Sequence, residues 1–110
     1  MTTYTYTDQN NNVFDISPKE IRYVPITPVE SSSGTYSGGE KVTVSITEED
    51  FKEISELATE LFQNTEVHTS KRTMGTSVLY ATTENGSKRV TLLRSKQRGD
   101  LERVLNSLKE

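Results

Sequence analysis

His68 is the only histidine in the 110-residue sequence, and histidine is the side chain best suited to acid–base catalysis near neutral pH. A catalytic histidine needs a reactive group beside it, yet the chain has no cysteine and no serine in a glycine-rich elbow. A zinc site needs several clustered ligands, and only scattered carboxylates accompany His68. We therefore expect a non-catalytic protein without cofactor or metal, with a small enzyme using His68 as an alternative.

Basic side chains are concentrated in the second half of the sequence. Through Thr65 the chain carries four cationic and eleven acidic residues, and from Glu66 onward it carries nine and five. Nucleic-acid binding requires a continuous basic stripe, often with aromatic residues for stacking, and the overall pI is about 5.2. For these reasons nucleic-acid or anion binding is an alternative and not the expected function. The candidate residues are Lys71, Arg72, Arg94, Lys96 and Arg98.

Residues 30–40 are rich in serine and glycine and contain one aromatic residue, Tyr36. Closely spaced glycines can bring backbone N–H groups near an anion, but this stretch lacks the Lys-Ser/Thr ending of a nucleotide-binding P-loop. The composition is typical of a flexible loop. A functional role for this loop would be recognition, with Tyr36 as a rigid anchor among adaptable serines.

The length of 110 residues predicts one domain, spanning residues 1–110, with a single modest core. No stretch approaches the roughly 18 consecutive apolar residues of a membrane span, so no membrane partner is expected. The first residues lack the basic and apolar regions of a secretory signal. These features, with the absence of cysteine, predict a cytoplasmic protein.

Residues 46–64 have the clearest pattern in the chain and predict an amphipathic helix. Thr47 is the expected N-cap, with Asp50 three residues later in the position of a capping box. Apolar residues at three- and four-residue spacings predict one buried stripe, whereas the acidic residues on the other face are expected to be solvated. The stripe consists of Phe51, Ile54, Leu57, Ala58, Leu61 and Phe62.

The remaining apolar stretches predict strands. Residues 3–7 and 13–16 flank a turn-forming DQNNN segment and indicate a hairpin. Residues 21–26 predict a strand that Pro25 places at a sheet edge or ends, and residues 41–46 alternate clearly. A short strand is expected within residues 66–70.

Residues 77–83 and 88–94 flank Asn85-Gly86, a strong signal for a two-residue hairpin turn. That turn pairs Ala81 with Val90 and Leu79 with Leu92, so these four residues are expected to face the helices. The reverse face carries Val78, Tyr80 and Leu93. This face is therefore more apolar than a solvent-exposed sheet face needs to be. Either the N-terminal hairpin covers this face or it is an interaction surface. We expect a protein partner or a second copy of the chain to bind there and at the loop. The candidate residues are Tyr36, Val78, Tyr80 and Leu93.

The last segment predicts a second helix capped by Asp100, because Gly99 disfavours an earlier start at Ser95. The order of strands, helix, hairpin and helix predicts an α+β fold. We expect an antiparallel sheet of about five to six strands with both helices on one face. On these grounds we expect a small non-catalytic interaction or self-assembling domain.

Overall fold

The computed structural model describes residues 2–25, 41–72 and 75–109. It contains one antiparallel sheet and two helices, which confirms the predicted α+β class. The seven strands slightly exceed the predicted five to six. The strands are β1 (Thr3–Thr7), β2 (Val13–Ile16), β3 (Glu20–Val24), β4 (Val42–Ser45), β5 (His68–Thr69), β6 (Ser77–Thr83) and β7 (Gly86–Leu92), and the helices are α1 (Glu48–Gln63) and α2 (Lys96–Lys109).

The strand order across the sheet is β4-β3-β2-β1-β6-β7-β5. The β1–β2 hairpin joins the β6–β7 hairpin edge to edge, because β1 pairs with β6 from Thr3↔Thr82 to Thr7↔Val78. The N-terminal hairpin therefore extends the sheet, and the alternative that it covers the reverse face of β6 and β7 is wrong. β3 lies inside the sheet between β2 and β4, and Pro25 follows its end.

The core lies between one sheet face and the helices. Alternate residues of each long strand point toward it, since successive side chains of a strand project to opposite faces. The strands contribute Tyr4, Tyr6, Phe14, Ile16, Ile21, Tyr23, Leu79, Ala81 and Leu92, and the helices contribute Ile54, Ala58, Leu61, Leu101 and Leu105. Of the predicted α1 stripe, Phe51, Leu57 and Phe62 are only half-buried against this core.

Helix α1 begins as predicted. The Thr47 side chain accepts a hydrogen bond from the Asp50 N–H, and the Asp50 carboxylate accepts one from the Thr47 N–H, which forms a complete capping box. Among the described residues, no helix has the length and apolar character needed to cross a membrane.

Helix α2 begins at Lys96, five residues before Leu101, where a cap at Asp100 would start it. The Ser95 hydroxyl accepts from the Arg98 N–H at 3.1 Å, and the Ser95 carbonyl accepts from the Gly99 N–H at 3.0 Å. Ser95 therefore provides the cap, and these bonds offset the cost of about 1 kcal/mol for glycine inside a helix.

The β6–β7 turn also differs from the prediction. Thr83 pairs with Gly86, so the two turn residues are Glu84 and Asn85, and Leu79 faces Val90 instead of Leu92. Gly86 opens β7 with φ +129°, and the Thr83 hydroxyl bonds both the Asn85 N–H and the Gly86 carbonyl. The predicted register is wrong by two residues. A shift of two leaves every side chain on its predicted face.

Candidate functional site

The sheet face opposite the helices, called here the open face, is organised in rows that cross the strands. One row runs through six strands in register and consists of valine and threonine only. All six side chains are half-buried. This β-branched row comprises Val24, Val13, Thr7, Val78, Thr91 and Thr69.

The next row of the open face is more polar and contains the exposed tyrosine. It comprises Thr43, Arg22, Asp15, Thr5, Tyr80 and Arg89. The Thr5 hydroxyl donates to the Asp15 carboxylate at 3.1 Å. A hydrogen bond from Ser87 lowers the pKa of the Tyr80 phenol below its ordinary value.

Three of the four residues predicted to bind a partner lie on the open face. Val78 occupies the centre of the β-branched row, and Tyr80 lies one row away with 37% of its surface exposed. Leu93, which is 43% exposed, directly follows β7, and its N–H donates to the Val67 carbonyl at 2.7 Å. That bond continues the β5–β7 pairing, so strand alternation places the Leu93 side chain on the same face. Tyr36 and the whole of the predicted loop at residues 30–40 lie outside the described residues.

The predicted basic residues occupy different environments. Arg98 is only 3% exposed, and its guanidinium donates to the Gly75 carbonyl at 2.7 Å and to the Leu92 carbonyl at 3.3 Å. It also donates to the Gln9 side chain at 3.3 Å and lies 3.5 Å from the Glu102 carboxylate. Arg98 therefore ties the β1–β2 turn to helix α2.

Arg72 also donates to internal acceptors. Its guanidinium donates to the Asp8 carbonyl at 3.0 Å, to the Asn11 side chain at 2.9 Å, and to both the carbonyl and the hydroxyl of Thr76. Asn11 has φ 69°, a left-handed conformation that asparagine tolerates in turns. Arg72 thus holds the β1–β2 turn against the segment that precedes β6.

The other three predicted basic residues, Lys71, Arg94 and Lys96, are exposed. Arg94 donates to the Gln9 side chain at 3.2 Å. No finding tests anion binding by these side chains, so it stays a prediction that salt-dependent retention on a polyanion resin would test.

A polar cavity of about 590 Å³ opens between the β1–β2 turn and the start of α2. Its charged lining residues are Arg94 and Arg98 against Asp8 and Glu102, so cationic and acidic groups are equal in number. Asp8 accepts from the backbone N–H groups of residues 10 and 12. This balance of charge indicates a structural junction and gives the cavity no preference for an anion.

The buried side chain of Tyr6 contacts this junction through Glu102, which lines the cavity. It donates to the Glu102 carboxylate at 2.5 Å, linking β1 to α2. Burial, together with that hydrogen bond, raises the pKa of Tyr6 well above its ordinary value. The neutral phenol is therefore held as a hydrogen-bond donor, a structural role.

His68 contacts the backbone of helix α1. Its Nε2 lies 2.6 Å from the Leu61 carbonyl, which can only accept, so Nε2 carries the proton. Within residues 2–25, 41–72 and 75–109, no three His, Asp or Glu side chains are grouped so as to hold a metal ion. The ring is thus engaged in joining β5 to α1.

The sequence interpretation missed the part of the open face that lies on β1, β2 and β3. Val13, Val24 and Thr7 align with Val78 only because β1 pairs with β6, residues more than seventy positions apart. The alternation in TYTYT does indicate that the threonines share one side of β1. Nothing local in the sequence indicates which strand lies beside them.

Compared with models of known protein families, with curated proteins and with solved structures, the chain matches none.

Proposed function

We propose that this protein is a non-catalytic interaction domain that uses its open face to pack against another protein or a second copy of the chain. One observation carries the proposal. The β-branched row crosses six strands with half-buried side chains, and the exposed Tyr80 and Leu93 flank it on the same face.

The chemistry of the open face fits a protein surface. Valine and threonine present methyl groups at regular spacings, and two sheets pack face to face when such rows interdigitate at a distance of about 10 Å. An exposed tyrosine supplies both apolar area and a polar tip, which favours its use at interfaces. A partner that covers this row would remove its methyl groups from water, and exposed apolar surface of this kind is typical of interaction sites.

The rest of the molecule supports a role in binding over one in catalysis. The His68 ring is engaged by the Leu61 carbonyl, and the Tyr6, Arg98 and Glu102 side chains bond one another or the backbone. These side chains join strands, turns and helices to one another, so we propose a structural role for them. The proposed function is placed on the open face.

Affinity capture from source cells, combined with light scattering of the purified chain, tests this proposal. Val78→Glu places a charge in the centre of the β-branched row and should abolish capture or self-association. Ser107→Glu, at an exposed position of α2, is the matched control and should leave both unchanged. Full binding by a folded Val78→Glu variant would contradict the proposal.

The predicted cytoplasmic location stays a prediction, which fractionation of source cells would test.

A further inference from the structure

The outer edge of β7 is only partly paired. β5 pairs with β7 at His68↔Leu92 and Thr69↔Thr91 and extends no further. Residues 86–90 therefore have β6 on one side and no described strand on the other. We call residues 86–90 the β7 edge.

The pairing pattern identifies which backbone groups this edge presents. The Leu93 N–H bonds the Val67 carbonyl, in register with the β5–β7 pairs. In an antiparallel ladder every second residue bonds toward the same neighbour, so Thr91, Arg89 and Ser87 also point their N–H and C=O groups away from β6. Thr91 meets β5, whereas Ser87 and Arg89 face outward on a fully exposed stretch.

The β7 edge is cationic. Lys88 and Arg89 are both exposed, and a cavity of about 340 Å³ adjoins Arg89 where β5 ends. The described residues that line this cavity include no carboxylate, and the one acidic residue of the β6–β7 hairpin, Glu84, lies on the turn. The lining is formed by Thr69, Ser70, Arg72, Arg89, Val90 and Thr91.

We infer that the β7 edge binds an extended acidic peptide of a partner protein, which adds to the sheet as an eighth strand. Such a strand would continue the line of β5, and its backbone would bond the N–H and C=O groups of Ser87 and Arg89, which pair with no strand among the described residues. Carboxylates on the open-face side of that strand would face Arg89 and the cavity beside β5, whereas carboxylates on its other side would face Lys88. This inference rests on the backbone and cations of the β7 edge and not on packing against the β-branched row, so it stands if that row binds nothing.

Charge decides against the other occupants of the edge. Two β7 edges paired across a two-fold axis would place Lys88 opposite Lys88 of the second copy, and like charges directly opposite destabilise a strand pair. Edge lysines disfavour pairing with a basic strand for the same reason. An acidic strand turns that repulsion into attraction.

Three labelled peptides of about six residues, a length that spans the edge, test the inference against the full chain by fluorescence anisotropy. The first alternates glutamate with valine, the second replaces each glutamate by lysine, and the third has the sequence of the first with every backbone amide N-methylated. The first should bind, the second should not, and the third should lose binding because an N-methylated amide has no N–H to donate. Equal binding of the first and third, or no binding of the first, would overturn the inference.

Amide hydrogen exchange locates the contact. The acidic peptide should slow exchange at Ser87 and Arg89 and leave Lys88 unchanged, since the Lys88 N–H already faces β6. No change at Ser87 and Arg89 would overturn strand addition even if the peptide binds.

A charge-matched pair of variants separates a local contact from general attraction. The double variant Lys88→Glu with Arg89→Glu should weaken the acidic peptide by roughly tenfold or more. The control, Lys52→Glu with Arg103→Glu, makes the same change of charge at exposed positions of the two helices and should have little effect. Equal weakening by both would show unspecific attraction and refute the site.

Discussion

The two faces of the sheet are built from the same strands and differ in almost every property. In β1, Tyr4 and Tyr6 face the helices and are buried, while the three threonines between and beside them face outward and are half-buried. Aromatic and aliphatic side chains fill the covered face, whereas valine, threonine and charged residues form the open face. The comparison separates two tasks, because the covered face supplies the stability and the open face is the surface on which binding is proposed.

The largest expected effect lies on the covered face. Leu61→Ala removes a fully buried side chain of α1 and should lower the free energy of unfolding by about 2–5 kcal/mol. Thr82→Ala, at an exposed position of β6, should change it by no more than about 0.5 kcal/mol. Urea denaturation measures the free energy of unfolding of both variants. Similar losses would contradict the expected difference in stability between the two faces.

The second-largest loss of stability is expected at the junction between the β1–β2 turn and helix α2. Arg98→Met keeps the unbranched stem of the side chain but leaves the part-buried carbonyl of Gly75 and the buried carbonyl of Leu92 without the arginine donor. Stranding buried acceptors costs about 1–3 kcal/mol, which urea denaturation would register. Lys96→Met, at an exposed position two residues earlier, is the control and should be nearly neutral.

The turn that sets the register of β6 and β7 gives a smaller effect. Gly86→Val forces a β-branched residue to adopt φ +129°, a conformation that costs about 1–2 kcal/mol for a side chain with a Cβ. The same substitution at Ser87, which needs no such φ, should cost less. If the two variants have the same melting temperature, residue 86 does not need the positive φ that this turn gives it.

Two tyrosines on opposite faces of the sheet are expected to differ in their response to pH. The pKa of Tyr6 is raised above the ordinary 10.0, so its contribution to stability is complete below pH 10.0 and is lost as the pH rises above that value. The loss should be about 1.4 kcal/mol per pH unit in the parent chain and absent in Tyr6→Phe. Urea denaturation at increasing alkaline pH would measure it.

Tyr80 should behave in the opposite way, because hydrogen bonding lowers the pKa of its phenol. In a spectrophotometric titration, Tyr80→Phe should remove an early component and Tyr6→Phe a late one. The same titration curve for both variants would contradict the assignment of the two tyrosines to different environments.

Local patterns were sufficient to predict the elements and the direction in which their side chains point. Thr47 and Asp50 mark the start of α1, and strand alternation places Leu79 and Ala81 inward even though the predicted hairpin register is wrong by two residues. Helix α2 shows how a local preference fails. Gly99 disfavours helix, yet the Ser95 cap and the burial of Arg98 and Leu101 outweigh it.

The site could be predicted only in part, because it depends on contacts distant in sequence. Val78 and Tyr80 follow from the β6–β7 hairpin, whereas Val13 and Val24 join them through β1 pairing with β6. The burial of Arg98 is equally non-local, since its partners Gly75, Leu92 and Gln9 come from three separate segments. A basic sequence pattern does not distinguish a surface cation from one that donates inward.

Site-specific photo-crosslinking in source cells tests most directly whether the open face is the binding surface. A photoreactive amino acid in place of Tyr80 should give a discrete covalent adduct, either with a partner or with a second copy. The same group in place of Lys52, on the exposed side of α1, should give none. Adding Val78→Glu should abolish the Tyr80 adduct. No adduct at Tyr80, or equal adducts at Tyr80 and Lys52, would contradict the account.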